Sequence, residues 1–182
     1  MTPFEAYLLK TADILDEIGL DFMLESSNLL GAIREGRALT WDHEVNFAVL
    51  GKDITDKIIK EFNRIFALVE IVAAREKYGG IYLKTYMGEQ ENNKTFLIPI
   101  WLKNGICYRN MGGNWINVYP FDITDKTKWE TTYFLGRKFN IPPKPIQVMV
   151  AYFGEDWQVV KHHWSWQLYS KNLKDYDEVF KT

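Results

Sequence analysis

Between Ser26 and Val49 the chain carries a pattern that few local folds satisfy. Ser26-Ser27-Asn28-Leu29-Leu30-Gly31-Ala32-Ile33-Arg34-Glu35-Gly36 reads as a short helix that begins at small polar residues and stops at a glycine. Trp41-Asp42-His43-Glu44-Val45-Asn46-Phe47-Ala48-Val49 reads as a strand, with Asp42, Glu44 and Asn46 at alternate positions. Alternate strand residues share one face at a repeat of roughly 6–7 Å, so two carboxylates and an amide oxygen project together beside the helix start. That layout suits a divalent metal and a phosphate held side by side. The same alternation, with Trp41, His43, Val45, Phe47 and Val49 opposite, also describes an ordinary amphipathic strand with one wet face.

The flanking sequence reads as a mixture of helices and strands. Thr2 is an N-cap, Pro3 suits the first helical position and Glu5 completes a capping box. Phe4, Leu8, Leu15 and Ile18 follow at helical spacing, and Gly19 supplies a left-handed end. Asp21 to Leu24 reads as a short strand. After Gly51, Asp53 is expected to cap a helix carrying Ile54, Ile58, Ile59, Phe62, Ile65 and Phe66. Strands are expected over 68–73, 80–86, 96–102, 106–109 and 115–119, with Asn104-Gly105 marking a hairpin turn. Gly112-Gly113 reads as a turn, because the surrounding pattern of a phosphate loop is missing. A strand pair is expected within Thr131 to Phe139. Pro142, Pro143 and Pro145 break the chain before a helix from Ile146 to Phe153, and the tail from Trp164 to Thr182 is expected to pack as a helix. This order gives an α+β class with a mixed sheet flanked by helices.

Length and composition narrow the function. A chain of 182 residues fits one domain with a real core. Hydrophobic residues at 47% and aromatics at 15% exclude a disordered chain. A formal net charge of −2, with no run of Lys and Arg, argues against nucleic acid and anionic membrane surfaces as partners. The single Cys107 excludes an internal disulfide and reads as structural. Met1-Thr2-Pro3-Phe4-Glu5 has no basic leader character, and no stretch reaches transmembrane length, so a soluble, cytoplasmic protein is expected. Seven Trp and ten Tyr offer faces for stacking a sugar or base, and equally fill cores and interfaces.

Leu29, Leu30, Gly31, Ala32, Arg34, Gly36, Trp41 and Asp42 stand in an order that resembles the LicD/fukutin-related family of phosphotransferases. The family motif runs Gly-Thr-Leu-Leu-Gly-Ala-x-Arg-x-Gly, a short gap, then Trp-Asp-x-Asp-hydrophobic-Asp. Val118-Tyr119-Pro120-Phe121, Ile141-Pro142-Pro143 and Tyr152-Phe153-Gly154-Glu155-Asp156-Trp157 are similar to downstream family segments. The resemblance implies a single nucleotidyltransferase-type domain over the whole chain. It implies transfer of a phosphorylated small group from a nucleotide-activated donor to a sugar or glycan hydroxyl. In that reading Asp42 and Glu44 are the catalytic acids. Asp42, Glu44 and Asn46 would hold Mg²⁺ or Mn²⁺. Ser27, Asn28 and Arg34 would bind substrate, with backbone N–H groups of the helix start on the donor phosphate.

The chain also departs from that pattern. Ser27-Asn28 replaces Gly-Thr, Glu44 and Asn46 replace two aspartates, and Pro99 stands where a third Asp is expected. Mg²⁺ takes one or two carboxylates together with phosphates and water, so one metal is still served. A two-metal clamp on both reacting oxygens is not. A second reading follows: a catalytically inactive relative that binds a nucleotide, a glycan or a protein.

Other residues point less directly to chemistry. Arg34 suits either a phosphate in fork geometry or an ion pair with an acid of the neighbouring strand. Lys84 reads as an exposed strand residue. His162 and His163 are adjacent and do not share a face, so they cannot ligate one metal together. His43, opposite the acids, is expected to be packed or capping. No P-loop, Gly-x-Ser-x-Gly elbow or Cys/His cluster is present.

Overall fold

The computed structural model describes residues 1–65, 69–72, 81–85, 94–103, 106–111, 114–119, 121–160 and 173–174. Helix α1, Pro3–Glu17, opens with the expected capping box: Glu5 N–H donates to the Thr2 hydroxyl at 3.2 Å and Thr2 N–H to the Glu5 carboxylate at 2.7 Å. Leu8, Ala12 and Leu15 bury one side of it. Gly19, at φ +74°, turns the chain out of the helix as expected.

Among the described residues, eight strands form one mixed sheet. Strand β1 (Phe22–Leu24) pairs antiparallel with β2 (Glu44–Leu50), and β2 lies parallel to β5 (Lys94–Lys103). Strands β6 (Ile106–Met111), β7 (Asn114–Tyr119) and β10 (Leu173–Lys174) follow antiparallel on the far side of β5. The hairpin of β3 (Val69–Val72) and β4 (Ile81–Thr85) joins the sheet through β4 against β5. A parallel pair needs a long crossover. Helix α3 (Asp56–Ile65) and the β3–β4 hairpin lie in that connection.

Strand β2 is the centre of the core. Every residue from Val45 to Leu50 is buried, so neither face of the strand is wet beyond its first residue. The amphipathic-strand reading is corrected on this point. Phe47 packs tilted against Phe22, with ring centroids 4.7 Å apart, and stacks with Phe139 at 6.4 Å. Phe139 belongs to the hairpin of β8 (Glu130–Phe134) and β9 (Arg137–Ile141), the strand pair expected there. Its two-residue turn, Leu135-Gly136, has φ of 54° and 77°, the signature of a type I′ turn. Helix α4, Pro145–Phe153, then buries Val148, Met149, Tyr152 and Phe153.

Three local expectations change. Asp53 does not cap α3; Thr55 does, its hydroxyl accepting from Ile58 N–H at 3.3 Å. Asp53 lies in a short 3₁₀ turn, Gly51–Asp53, and takes Lys126 Nζ at 2.7 Å. The strand begins at Glu44, so Asp42 precedes it. Of the tail expected to be helical, Leu173–Lys174 is a strand on β7 and the remainder lies outside the described residues. Phe66, Asn104-Gly105, Gly112-Gly113 and His162-His163 also lie outside them.

Candidate active site

Glu25 is extended, at φ −136°, and Ser26 turns left-handed at φ +53°. The chain then enters a five-residue helix α2, Ser26–Leu30, and a π turn, Gly31–Glu35. Gly36 closes the segment at φ +65°, as the sequence suggests. Gly31 is required by contact rather than by φ: a Cβ there would lie 2.8 Å from the Arg37 carbonyl oxygen. The amides of Asn28 and Leu29 both donate to the Glu25 carbonyl, at 3.1 and 3.2 Å. These two N–H groups of the helix start are thus turned to the Glu25 carbonyl.

The side chains of this segment reach β2 instead. Asn28 Oδ1 accepts from Asn46 N–H at 2.6 Å, and Asn28 Nδ2 donates to Asp42 Oδ2 at 3.1 Å and to the Glu44 carbonyl at 3.2 Å. Asn46 Nδ2 donates to Ser27 Oγ and to the same Glu44 carbonyl, each at 3.2 Å. Asp42 Oδ1 accepts from Glu44 N–H at 3.1 Å, which makes Asp42 the capping turn of β2 rather than its first residue. The side chains of Ser27, Asn28, Asp42 and Asn46 thus meet around the backbone of Glu44, although the acids do not lie on one strand face.

Burial pushes the Asp42 carboxyl above its ordinary range, and the nearby Glu44 carboxylate adds to that rise. Hydrogen bonds from the Ser27 hydroxyl and Glu44 N–H, and the charge of His43, pull the other way. His43 itself is exposed, not packed.

Arg34 takes no part in this cluster. Its Nη2 is 2.7 Å from Glu35 Oε1, and its Nη1 donates to the Trp157 carbonyl at 3.3 Å. The acid it pairs with is its chain neighbour, not a residue of the adjacent strand. Arg34, Leu30, Trp41, Phe153 and Trp157 line a largely apolar pocket, with Val159 and Val160. Trp41, at its edge, is 55% exposed. Lys84 lies on β4 in register with Glu70. Cys107 is buried and its thiol is pushed up to about 11 by burial, consistent with a structural role.

Behind the cluster lies a buried group that the sequence did not reveal. Arg109 Nη1 donates to Glu25 Oε1, and the Tyr119 hydroxyl donates to Glu25 Oε2 at 2.6 Å. The partners come from β6 and β7, and no local pattern marks them.

Residues 19–152 match the family model described as LicD/FKTN/FKRP, nucleotidyltransferase domain. The chain belongs to the LicD/FKTN/FKRP family. No curated protein matches it. Among solved structures it is similar to the lincosamide antibiotic adenylyltransferase LnuA, determined with lincomycin bound. That likeness has a TM-score of 0.52 at 18% identity, over 81% of this chain and 84% of that one. It speaks to the fold, which is α+β and nucleotidyltransferase-like. Within the LicD frame, the Arg34–Trp157 bond ties the first motif to the last, 123 residues away. The departures now have places: Asn46 sits at the centre of the network, and β5 carries no Asp or Glu along its length.

Proposed function

We propose that this chain is a LicD-type phosphotransferase that moves a phosphorylated small group from a nucleotide-activated donor to a sugar or glycan hydroxyl. The observation that carries the reading is the convergence of the Ser27, Asn28, Asp42 and Asn46 side chains, which meet at the backbone of Glu44 through direct hydrogen bonds. This donor set fits one hard divalent cation. Among the described residues, the Glu44 carboxylate and Asn46 Oδ1 accept no hydrogen bond, because Asn46 turns its Nδ2 to Ser27 and Glu44. No cluster of three or more His, Cys, Asp or Glu gathers among the described residues, so phosphates and water would complete the shell.

Bound there, Mg²⁺ or Mn²⁺ would neutralise the phosphate charge during transfer. Asp42 and Glu44 are the acids that serve it, with Asn46 as a neutral ligand. Ser27 and Asn28 set the geometry of the acids and face the donor. The pocket beside Trp41 suits a ring of the acceptor, since ligand pockets are mostly apolar with few polar groups. Arg34 in its wall, with its charge matched by Glu35, acts there as a hydrogen-bond donor. We place the activity in the cytoplasm, as a single domain over the chain. No helix among the described residues is long and apolar enough to cross a membrane.

The test is thermal stability across cytidine, uridine, adenosine and guanosine nucleotides, with Mg²⁺, Mn²⁺ or EDTA. A ligand that binds only the native state raises Tm by mass action. The transferase reading expects a metal-dependent rise with one nucleotide, lost in Glu44→Ala. The neutral Asn46 and the acid-free β5 favour a second reading, an inactive member that binds a nucleotide, glycan or protein. It expects a rise indifferent to metal and to Glu44→Ala, or none with any nucleotide.

A further inference from the structure

Glu25 and Arg109 are fully buried, 84 residues apart in sequence. Arg109 Nη1 and the Tyr119 hydroxyl take one Glu25 oxygen each, and the Arg109 guanidinium lies 4.5 Å above the centre of the Tyr152 ring. Residues from β6 and β7 therefore converge on one carboxylate, and α4 packs against the guanidinium that holds it. Such a buried ion pair is a poor way to add stability, since well-packed apolar residues of like volume often serve as well or better. What it does supply is a fixed position.

The position it fixes is the junction of the candidate site. Glu25 N–H donates to the Asn46 carbonyl at 3.1 Å, and the Glu25 carbonyl accepts from Asn28 and Leu29. The next residue, Ser26, holds φ +53°, a left-handed conformation that a non-glycine residue keeps only when its surroundings over-determine it. Ser27 and Asn28 follow directly. We infer that the Glu25–Arg109–Tyr119 cluster is a positioning device. It holds the Glu25–Ser26 junction so that Ser27 and Asn28 face Asp42 and Asn46. Its geometric half stands alone, and its meaning for catalysis rests on the transferase reading above.

The experiment uses the full chain labelled with ¹⁵N. It reads the side-chain amide resonances of Asn28 and Asn46, the melting curve, and the Mg²⁺-dependent nucleotide shift. In the double variant Glu25→Leu/Arg109→Met, the melting transition stays cooperative, at a midpoint lowered by the Tyr119 hydroxyl left without its acceptor. The two asparagine side-chain signals move toward the position of exposed amides, and metal affinity falls about 10–100-fold, as for lost supporting partners of a metal site. Adding Ser26→Gly returns those signals part of the way, because glycine adopts the left-handed turn without being held.

Unmoved asparagine signals in the double variant would overturn the proposal, and so would a failure of Ser26→Gly to restore them. Should the double variant not fold, Tyr119→Phe removes one bond to Glu25 with little change of shape; it is expected to shift the Asn28 signals, and unchanged signals overturn the inference. Signals that move and recover as expected, in a protein that binds no nucleotide in any form, support the positioning role while removing the transferase reading.

Discussion

The backbone N–H of Asn46 donates to the side-chain oxygen of Asn28 at 2.6 Å, and this bond decides which way the Asn28 amide faces. With Oδ1 occupied, Nδ2 is left for Asp42 and for the Glu44 carbonyl. Helix α2 and strand β2 are thereby fastened through a group that carries no charge, next to two carboxylates. Asn28→Asp is expected to destabilise the protein by about 1–3 kcal/mol, because the donor to Asp42 becomes a like charge. Urea unfolding at neutral pH measures this, and the loss should shrink in acid as the new carboxyl protonates. An unchanged midpoint would contradict the arrangement.

Asp42 gives a pH signature. Its folded-state pKa lies above the unfolded value of 3.8, chiefly through burial. From that value up to the raised folded pKa, the native state binds more protons than the unfolded state, so stability falls as pH rises. Above the raised pKa the effect is constant. Melting temperatures across this window should decline in the wild type and decline less in Asp42→Asn. A steeper decline in the variant would reverse the sign of the argument. Mg²⁺ needs the ionised carboxylate, so its affinity should drop as pH falls through the same window.

Two glycines of the first motif should respond differently to alanine. At Gly36 a Cβ would meet nothing within 4 Å, and only the left-handed φ of +65° resists the change, a cost of about 1 kcal/mol. At Gly31 the Arg37 carbonyl would lie 2.8 Å from the new carbon, and backbone must move, at about 1–3 kcal/mol. Denaturant midpoints of the two variants test the order.

The Cys107 thiol, buried and pushed up to about 11, should resist thiol reagents at pH 8. Modification is expected at the rate of unfolding. Fast stoichiometric reaction in native buffer would show the thiol to be open.

Much of this is readable from residue order, and the exceptions share a cause. The capping box of α1, the presence of strand β2 and the Gly36 stop are local, so spacing and residue type suffice, whereas the burial of both faces of β2 depends on the layers packed against it. Asp42 lies two residues ahead of the strand that its alternation suggests, because an Asp that caps the Glu44 amide looks, in sequence, like the first strand residue. Asp42 still meets Ser27 and Asn28, since the capping turn delivers its carboxylate to them. Arg34 settles on Glu35 and on Trp157, and only the first of these partners is near in sequence. Glu25 is invisible for the same reason: its partners, Arg109 and Tyr119, lie 84 and 94 residues away.

The central claim is that Asp42, Glu44 and Asn46 hold one divalent cation beside Ser27 and Asn28. Mn²⁺ titration followed by electron paramagnetic resonance, in the presence of a nucleoside diphosphate, tests it most directly on wild type, Glu44→Ala and Asn46→Asp. The account predicts one site in the wild type, loss of that site in Glu44→Ala, and tighter binding in Asn46→Asp, where a carboxylate replaces a neutral oxygen. Equal Mn²⁺ binding by all three proteins would contradict it.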